Sequence, residues 1–187
     1  MRGEETQLAG LMALCPKLAL LDLTVVLPGT HSKWVRLIGG QAQDFATHMT
    51  GEVFGLLREH SVLARLIEPS HHLDAVSFDK GVQQARRTGG ADLMRLLFSI
   101  RSMGLFKELC GEAGSDYLSG LLIGAEVAGA LASGSPYQTK KLVLIGEPFL
   151  CTRYSRALES WGQKTLVFNG GLAASGLHQL MRRTVVS

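Results

Sequence analysis

Apolar positions open the chain at helical spacing. Leu8, Leu11, Met12 and Leu14 share one side of a segment that begins near Thr6 and closes at Pro16, which predicts a short helix. The period then changes. Leu20 to Leu27 is a nearly continuous apolar run, Pro28-Gly29-Thr30-His31-Ser32 is turn chemistry, and Lys33 to Ile38 carries Trp34, Val35 and Leu37, so a β-hairpin is expected. Gly39-Gly40 predicts another tight turn, and Asp44 to Met49, with Phe45, Thr47 and Met49 alternating, predicts a third antiparallel strand.

From Gly51 the pattern is helical again, with Val53, Leu56, Leu57 and Leu63 on one side, Thr50 as a candidate start and Pro69 as the stop. Two further helical patterns occupy Phe78 to Arg101 and break at Gly89-Gly90, suggesting a helical insertion. Ser115-Asp116 offers an N-cap for a buried helix from Tyr117 to Ala132, in which Gly120, Gly124 and Gly129 allow close packing. Lys141 to Ile145 predicts a strand, Pro148 to Trp161 a helix ended by Gly162, Thr165 to Phe168 a buried strand and Leu172 to Met181 a last amphipathic helix.

Composition narrows the possibilities without choosing among them. A chain of 187 residues that is 46% hydrophobic can fill a core, and one domain is the prior. A formal charge of +3, with its basic pairs scattered, gives no nucleic-acid stripe. Cys15, Cys110 and Cys151 are far apart and lack metal-site spacing, and His71-His72 has no ligand cluster beside it, so no protein metal site is expected. Two acids in Met1-Arg2-Gly3-Glu4-Glu5 and the lack of any eighteen-residue apolar run make the cytoplasm the default and a membrane partner unexpected.

Three segments carry candidate chemistry. In the first, Gly29 lets the backbone approach an anion, while the hydroxyls of Thr30 and Ser32, the amides through His31, and Lys33 are donors for phosphate oxygens. An ordinary β-turn followed by a strand lysine explains the same residues. In the second, Glu4 or Glu5 would orient an acceptor hydroxyl and take its proton, although both acids also suit a helix N-terminus. In the third, Val143 to Pro148 runs a strand into Gly146-Glu147 and then a helix, a backbone shape for a purine, with Leu150 and Tyr154 either lining the base or packed in the core. Asn169-Gly170-Gly171 ranks below these. The P-loop pattern and the protein-kinase motifs are absent.

Read together, Arg2-Gly3-Glu4-Glu5-Thr6-Gln7-Leu8, Leu27-Pro28-Gly29-Thr30-His31-Ser32-Lys33-Trp34-Val35, Met49-Thr50-Gly51-Glu52 and Tyr117 to Glu126 resemble the 2-dehydro-3-deoxygalactonokinases across essentially the whole chain. The resemblance implies an α/β fold. It would be the ribonuclease H-like lobe of an actin-like ATPase, with a mixed sheet and helices on both faces, an interlobe helix at 1–16, and a lobe at 17–187 carrying a helical insertion near 65–112. It also implies an ATP- and Mg2+-dependent kinase acting on the terminal hydroxyl of 2-dehydro-3-deoxy-D-galactonate. Glu4 would be the base, with Glu5 as the fallback. The Gly29–Lys33 bend would hold phosphate, and Gly146, Glu147, Leu150 and Tyr154 the adenosine. The amino-terminal lobe of such kinases begins with an Asp-x-Gly-x-Thr-like strand that has no counterpart here, so the chain is expected to be half a kinase that needs this lobe or a dimer partner. The alternative is a non-catalytic nucleotide-binding or interaction module built on one lobe.

Overall fold

The computed structural model describes residues 3–69, 72–109 and 111–172. His71, Cys110, Arg182-Arg183 and the last predicted helix beyond Leu172 lie outside the described residues. The chain divides into two compact units. Unit 1 comprises residues 1–47, 136–155 and 164–187, and unit 2 comprises residues 48–135 and 156–163.

Unit 1 is built on a five-stranded sheet. Its elements are α1 (Glu4–Leu14), α2 (Pro16–Ala19), β1 (Leu23–Leu27), β2 (Ser32–Ile38), β3 (Gln41–His48), β4 (Leu142–Gly146) and β5 (Thr165–Asn169), and the strand order is β3-β2-β1-β4-β5. β1 pairs antiparallel with β2, Val25 facing Val35, and parallel with β4, Val25 facing Val143. β4 continues parallel into β5. Every residue of β1 and of β4 is buried, the pattern of central strands covered on both faces. Leu8 and Leu11 of α1 pack with Leu23, Val25, Leu27, Val35, Leu37, Val143 and Ile145 in a single core, each large side chain contributing roughly 1.5–3 kcal/mol. The one polar side chain inside β1, Thr24, donates to the Tyr137 carbonyl at 3.0 Å, so its burial leaves no orphaned hydroxyl.

Several boundaries differ from the sequence expectation. The apolar run at Leu20–Leu27 is split: Pro16, tolerated at a helix start, opens α2, and Leu20 and Leu21 are exposed ahead of β1. β3 starts three residues earlier than expected, because Gly39 (φ 56°) and Gly40 (φ 78°) form the two-residue left-handed turn that a twisted hairpin favours. Its alternation does not mark a buried face, since Phe45 is 51% exposed on this edge strand. β5, expected to be buried, is the opposite edge, with Leu166 and Val167 about half exposed at 50% and 53%.

Unit 2 is helical and contains α3 (Thr50–His60), α4 (Ala75–Thr88), α5 (Leu93–Leu105) and α6 (Glu112–Ala130). The expected break at Gly89-Gly90 is real: Gly89 (φ 60°) caps α4 in the left-handed conformation, accepted at little cost by a residue without a Cβ. α3 ends at His60 rather than near Pro69, and Leu63 is buried in the turn that follows, packing with Ile67, Leu96, Ile100, Leu118 and Leu121. Thr50 is the first residue of α3 and donates its hydroxyl to Glu126 rather than capping the helix.

The N-cap expected at Ser115-Asp116 is overturned. α6 starts five residues before Tyr117, after Gly111, and both residues are buried inside it. Asp116 instead accepts the backbone N–H of Asp74 at 2.7 Å, and Asp74 in turn caps α4 by accepting from Val76, Ser77 and the Ser77 hydroxyl. The small residues of α6 act as expected at two of three positions. Gly120 and Gly124 lie against α4, whereas a Cβ on Gly129 would meet nothing within 4 Å. The remaining helix, α7 (Pro148–Glu159), follows β4 in the chain.

Candidate functional site

The site grows from the start of α1. Gly3 adopts a left-handed backbone (φ 105°) as the N-cap, and its carbonyl accepts both the amide (3.1 Å) and the hydroxyl (2.6 Å) of Thr6. The Glu5 carboxylate reaches back to accept the Gly3 N–H at 2.7 Å, which resembles the carboxylate half of a capping box without the side-chain half that a glycine N-cap lacks. Glu5 is thereby engaged in starting the helix. Glu4 points elsewhere.

Across from Glu4 stands the β1–β2 hairpin. Leu27 and Lys33 face one another as the last rung of the antiparallel ladder, which leaves Pro28 to His31 as the connecting bend and puts Thr30 and His31 at its exposed tip. Lys33 is only 8% exposed. Its ammonium donates to the His31 carbonyl at 2.8 Å and pairs with Glu4 Oε1 at 2.6 Å. An ammonium has three protons and no acceptor, so a lysine buried at a bend must be met by oxygens of this kind.

The third side is the end of β4. A Cβ on Gly146 would lie 3.4 Å from the Pro28 carbonyl oxygen and 3.6 Å from Cys151 Sγ, so the glycine lets strand end and hairpin approach closely. Between these segments lies an open cleft of about 530 Å³ lined by Glu4, Gln7, the bend, Lys33, Ile145, Gly146, Glu147 and Gly170. The size falls in the range of small-molecule and cofactor sites. Gly29 is set into the wall with its own side open: an added Cβ would come no nearer than 4.0 Å to the His31 carbonyl.

The structure thus brings together Glu4, Gly29, Thr30, His31, Lys33, Gly146 and Glu147. Four expected residues fall outside the cleft wall. Ser32 is fully buried as the first residue of β2 and does not line the cleft. Tyr154 is 2% exposed, the core role that its helical spacing allowed, and Leu150 and Glu5 are also absent from the lining. Five lining residues, Gln7, Leu27, Pro28, Ile145 and Gly170, were not among those assigned to the site. Gln7 follows Glu4 at i+3 and so shares its side of α1, a spacing legible in the sequence. Pro28 and Gly170 come to one cleft through the pairing of β1, β4 and β5. Beside the cleft, burial and then the nearby Glu147 carboxylate push the Cys151 thiol above its ordinary range, which keeps it protonated.

Chemically, this arrangement offers one cation, the bend's amides and hydroxyl for an anion, and a carboxylate next to that cation. No group of three His, Cys, Asp or Glu that could hold a metal occurs among the described residues. The described residues also contain no helix long and apolar enough to cross a membrane.

The chain is 41% identical over 165 residues to a candidate 2-dehydro-3-deoxygalactonokinase of Rhizobium meliloti strain 1021. It is 38% identical over 162 residues to the 2-dehydro-3-deoxygalactonokinase of Escherichia coli strain K12. Each alignment takes in 87% of this chain and 52% of the relative, so the chain spans about half the length of the curated relatives it matches. A crystal structure of a candidate 2-dehydro-3-deoxygalactonokinase from Sinorhizobium meliloti superimposes with a TM-score of 0.85 at 36% identity, covering 98% of this chain and 60% of that one. The model of the 2-keto-3-deoxy-galactonokinase family matches residues 1–180, and the chain belongs to that family.

Proposed function

We propose that the cleft is the nucleotide-tail half of a kinase active site, and that the activity is transfer of the γ-phosphoryl group of ATP to the terminal hydroxyl of 2-dehydro-3-deoxy-D-galactonate. The observation that carries this reading is the contact between Lys33 at the hairpin bend and Glu4 at the start of α1: a phosphate donor site and a carboxylate base within one ion-pair distance, 2.6 Å. In this reading the acceptor oxygen attacks the γ-phosphorus, the bond from that phosphorus to the bridging oxygen breaks with its electrons left on ADP, and the hydroxyl proton passes to Glu4. Lys33, Thr30 and the amides of the bend neutralise the phosphate oxygens. Glu147 repels phosphate and suits the hydroxyls of a ribose, next to the glycine that leaves room for the base.

The finer fold assignment belongs to the same proposal. An antiparallel hairpin leading into two parallel strands, in the order β3-β2-β1-β4-β5, supports a ribonuclease H-like lobe of the actin-like kind, with α1 as the interlobe helix and the helices near 65–112 as an insertion. The family chemistry implies magnesium, but the described residues do not fit it, having no cluster of three ligands. We assign the magnesium carboxylates and much of the sugar-acid contact to a second lobe, supplied in the same polypeptide or by a partner, because the relatives are about twice as long as the matched region. The setting is cytoplasmic metabolism of sugar acids.

The test is a coupled ADP-release assay with ATP and the keto-deoxy acid, run on the chain with and without the amino-terminal half of the Escherichia coli relative. Turnover that requires both halves and disappears in Glu4→Gln is the expected result. A reconstituted pair that stays inactive removes the kinase reading. The half-length match also favours a second reading, a nucleotide-binding module without catalysis. That reading predicts ATP binding by the chain with no turnover in either condition.

A further inference from the structure

The ion pair at the cleft has a consequence beyond binding. As it stands, Glu4 is occupied by Lys33, and a carboxylate held by an ammonium accepts a proton less readily than one left to a hydroxyl. Lys33 is also tied to the bend by the His31 carbonyl at 2.8 Å and is almost wholly buried, a contact that does not involve Glu4. Glu4 sits in the first turn of α1, with its side chain 21% exposed to the cleft. The two bonds to Lys33 are therefore unequal. One belongs to the hairpin itself, and the other bridges to a separate element.

Resting on the kinase reading, we infer that the Lys33–Glu4 pair is an exchange latch: a phosphate oxygen of the incoming nucleotide replaces the Glu4 carboxylate at Lys33, and the displaced carboxylate turns to the acceptor hydroxyl and takes its proton. Lys33 is then a positioning residue for Glu4 as well as a phosphate donor. The base becomes available only when the phosphoryl donor is in place, which suppresses idle proton transfer to an empty site. No bond other than hydrogen bonds is made or broken in the exchange, and the charge at Lys33 is compensated before and after it.

The latch predicts that the anion competes with Glu4. Pyrophosphate, the simplest probe of the bend, is titrated calorimetrically into the chain and into Glu4→Gln, Glu4→Ala, Lys33→Met and Asp22→Asn, with each fold checked by far-ultraviolet circular dichroism. Asp22 pairs with Arg36 on the surface, and its variant removes the same charge away from the bend. Both Glu4 variants should bind pyrophosphate about five- to tenfold more tightly than the parent, the size of one released ion pair, while Asp22→Asn changes affinity less than about twofold. Lys33→Met should lose binding. Unchanged or weaker binding in both Glu4 variants, with the parent still binding, overturns the latch and leaves the kinase reading standing. Absence of binding in the parent and in every variant overturns both.

Discussion

The backbone of Gly120 in α6 is pressed against the carbonyl oxygen of Phe78 in α4: a Cβ at Gly120 would lie 2.1 Å from that oxygen. The same contact is made reciprocally by Gly81, whose Cβ would come within 2.3 Å of the Tyr117 carbonyl oxygen. Two helices this close have backbone against backbone, and neither can give way as a flexible side chain would. Gly120→Ala should therefore lower stability by about 1–3 kcal/mol, through overpacking that outweighs alanine's better helix propensity. Gly129→Ala, on the same helix but facing open space, should raise stability by about 0.4–1 kcal/mol. Urea unfolding of the two variants checks the opposite signs.

Gly29→Ala separates binding from folding. Its backbone lies outside the left-handed region and a Cβ there has no close neighbour, so the unfolding midpoint should match the parent. The added methyl intrudes where the proposed phosphate approaches, and ATP affinity should fall roughly tenfold, equivalent to about 1.4 kcal/mol. A variant with normal affinity would argue that the anion does not approach the bend at Gly29.

The Asp74 cap makes a pH prediction. Hydrogen bonds from Ser77 hold its carboxyl below the ordinary carboxylate range, so its folded-state value is depressed relative to the unfolded chain. A group of that sign contributes stability that is fully present above its ordinary value near 3.8 and is lost as pH falls through the lower folded value. Asp74→Ala should cost about 1 kcal/mol at neutral pH, with a smaller deficit below pH 3. Thermal melts across that range measure the difference.

Cys151 should be the slower of two described thiols to react. Burial and Glu147 keep it protonated, whereas Cys15 is partly exposed. Mass mapping after brief iodoacetamide treatment of the native chain should find Cys15 carbamidomethylated and Cys151 unmodified. Rapid modification of Cys151 would show that the end of β4 opens.

Much of this architecture was readable in advance. Local chemistry decided the hairpin at Pro28–Ser32, the Gly89-Gly90 break and the strand-glycine-helix order at Gly146, because turn backbones and short periods depend only on near neighbours. Of the candidate site, Glu4 and the bend with Lys33 were legible as residue types suited to phosphoryl chemistry, and Gly146-Glu147 as a backbone shape for a purine. Ser32 and Tyr154 were not separable from them, since a hydroxyl or phenol has the same letter whether it faces a cleft or a core.

What the amino-acid order determined by itself was the list of elements and the kind of chemistry they can carry. Tertiary structure alone decided which residues meet. Glu4 and Lys33 lie 29 positions apart and are joined only because α1 packs against a sheet that closes the hairpin over it. Asp116 looked like a cap for its own helix and became a partner of Asp74 at the start of another. Exposure at the sheet edges followed the same logic: Leu166 and Val167 have the composition of a buried strand, and their place beside a single neighbour left them half in solvent. Burial and pairing are properties of the assembled layers, and no local pattern encodes them.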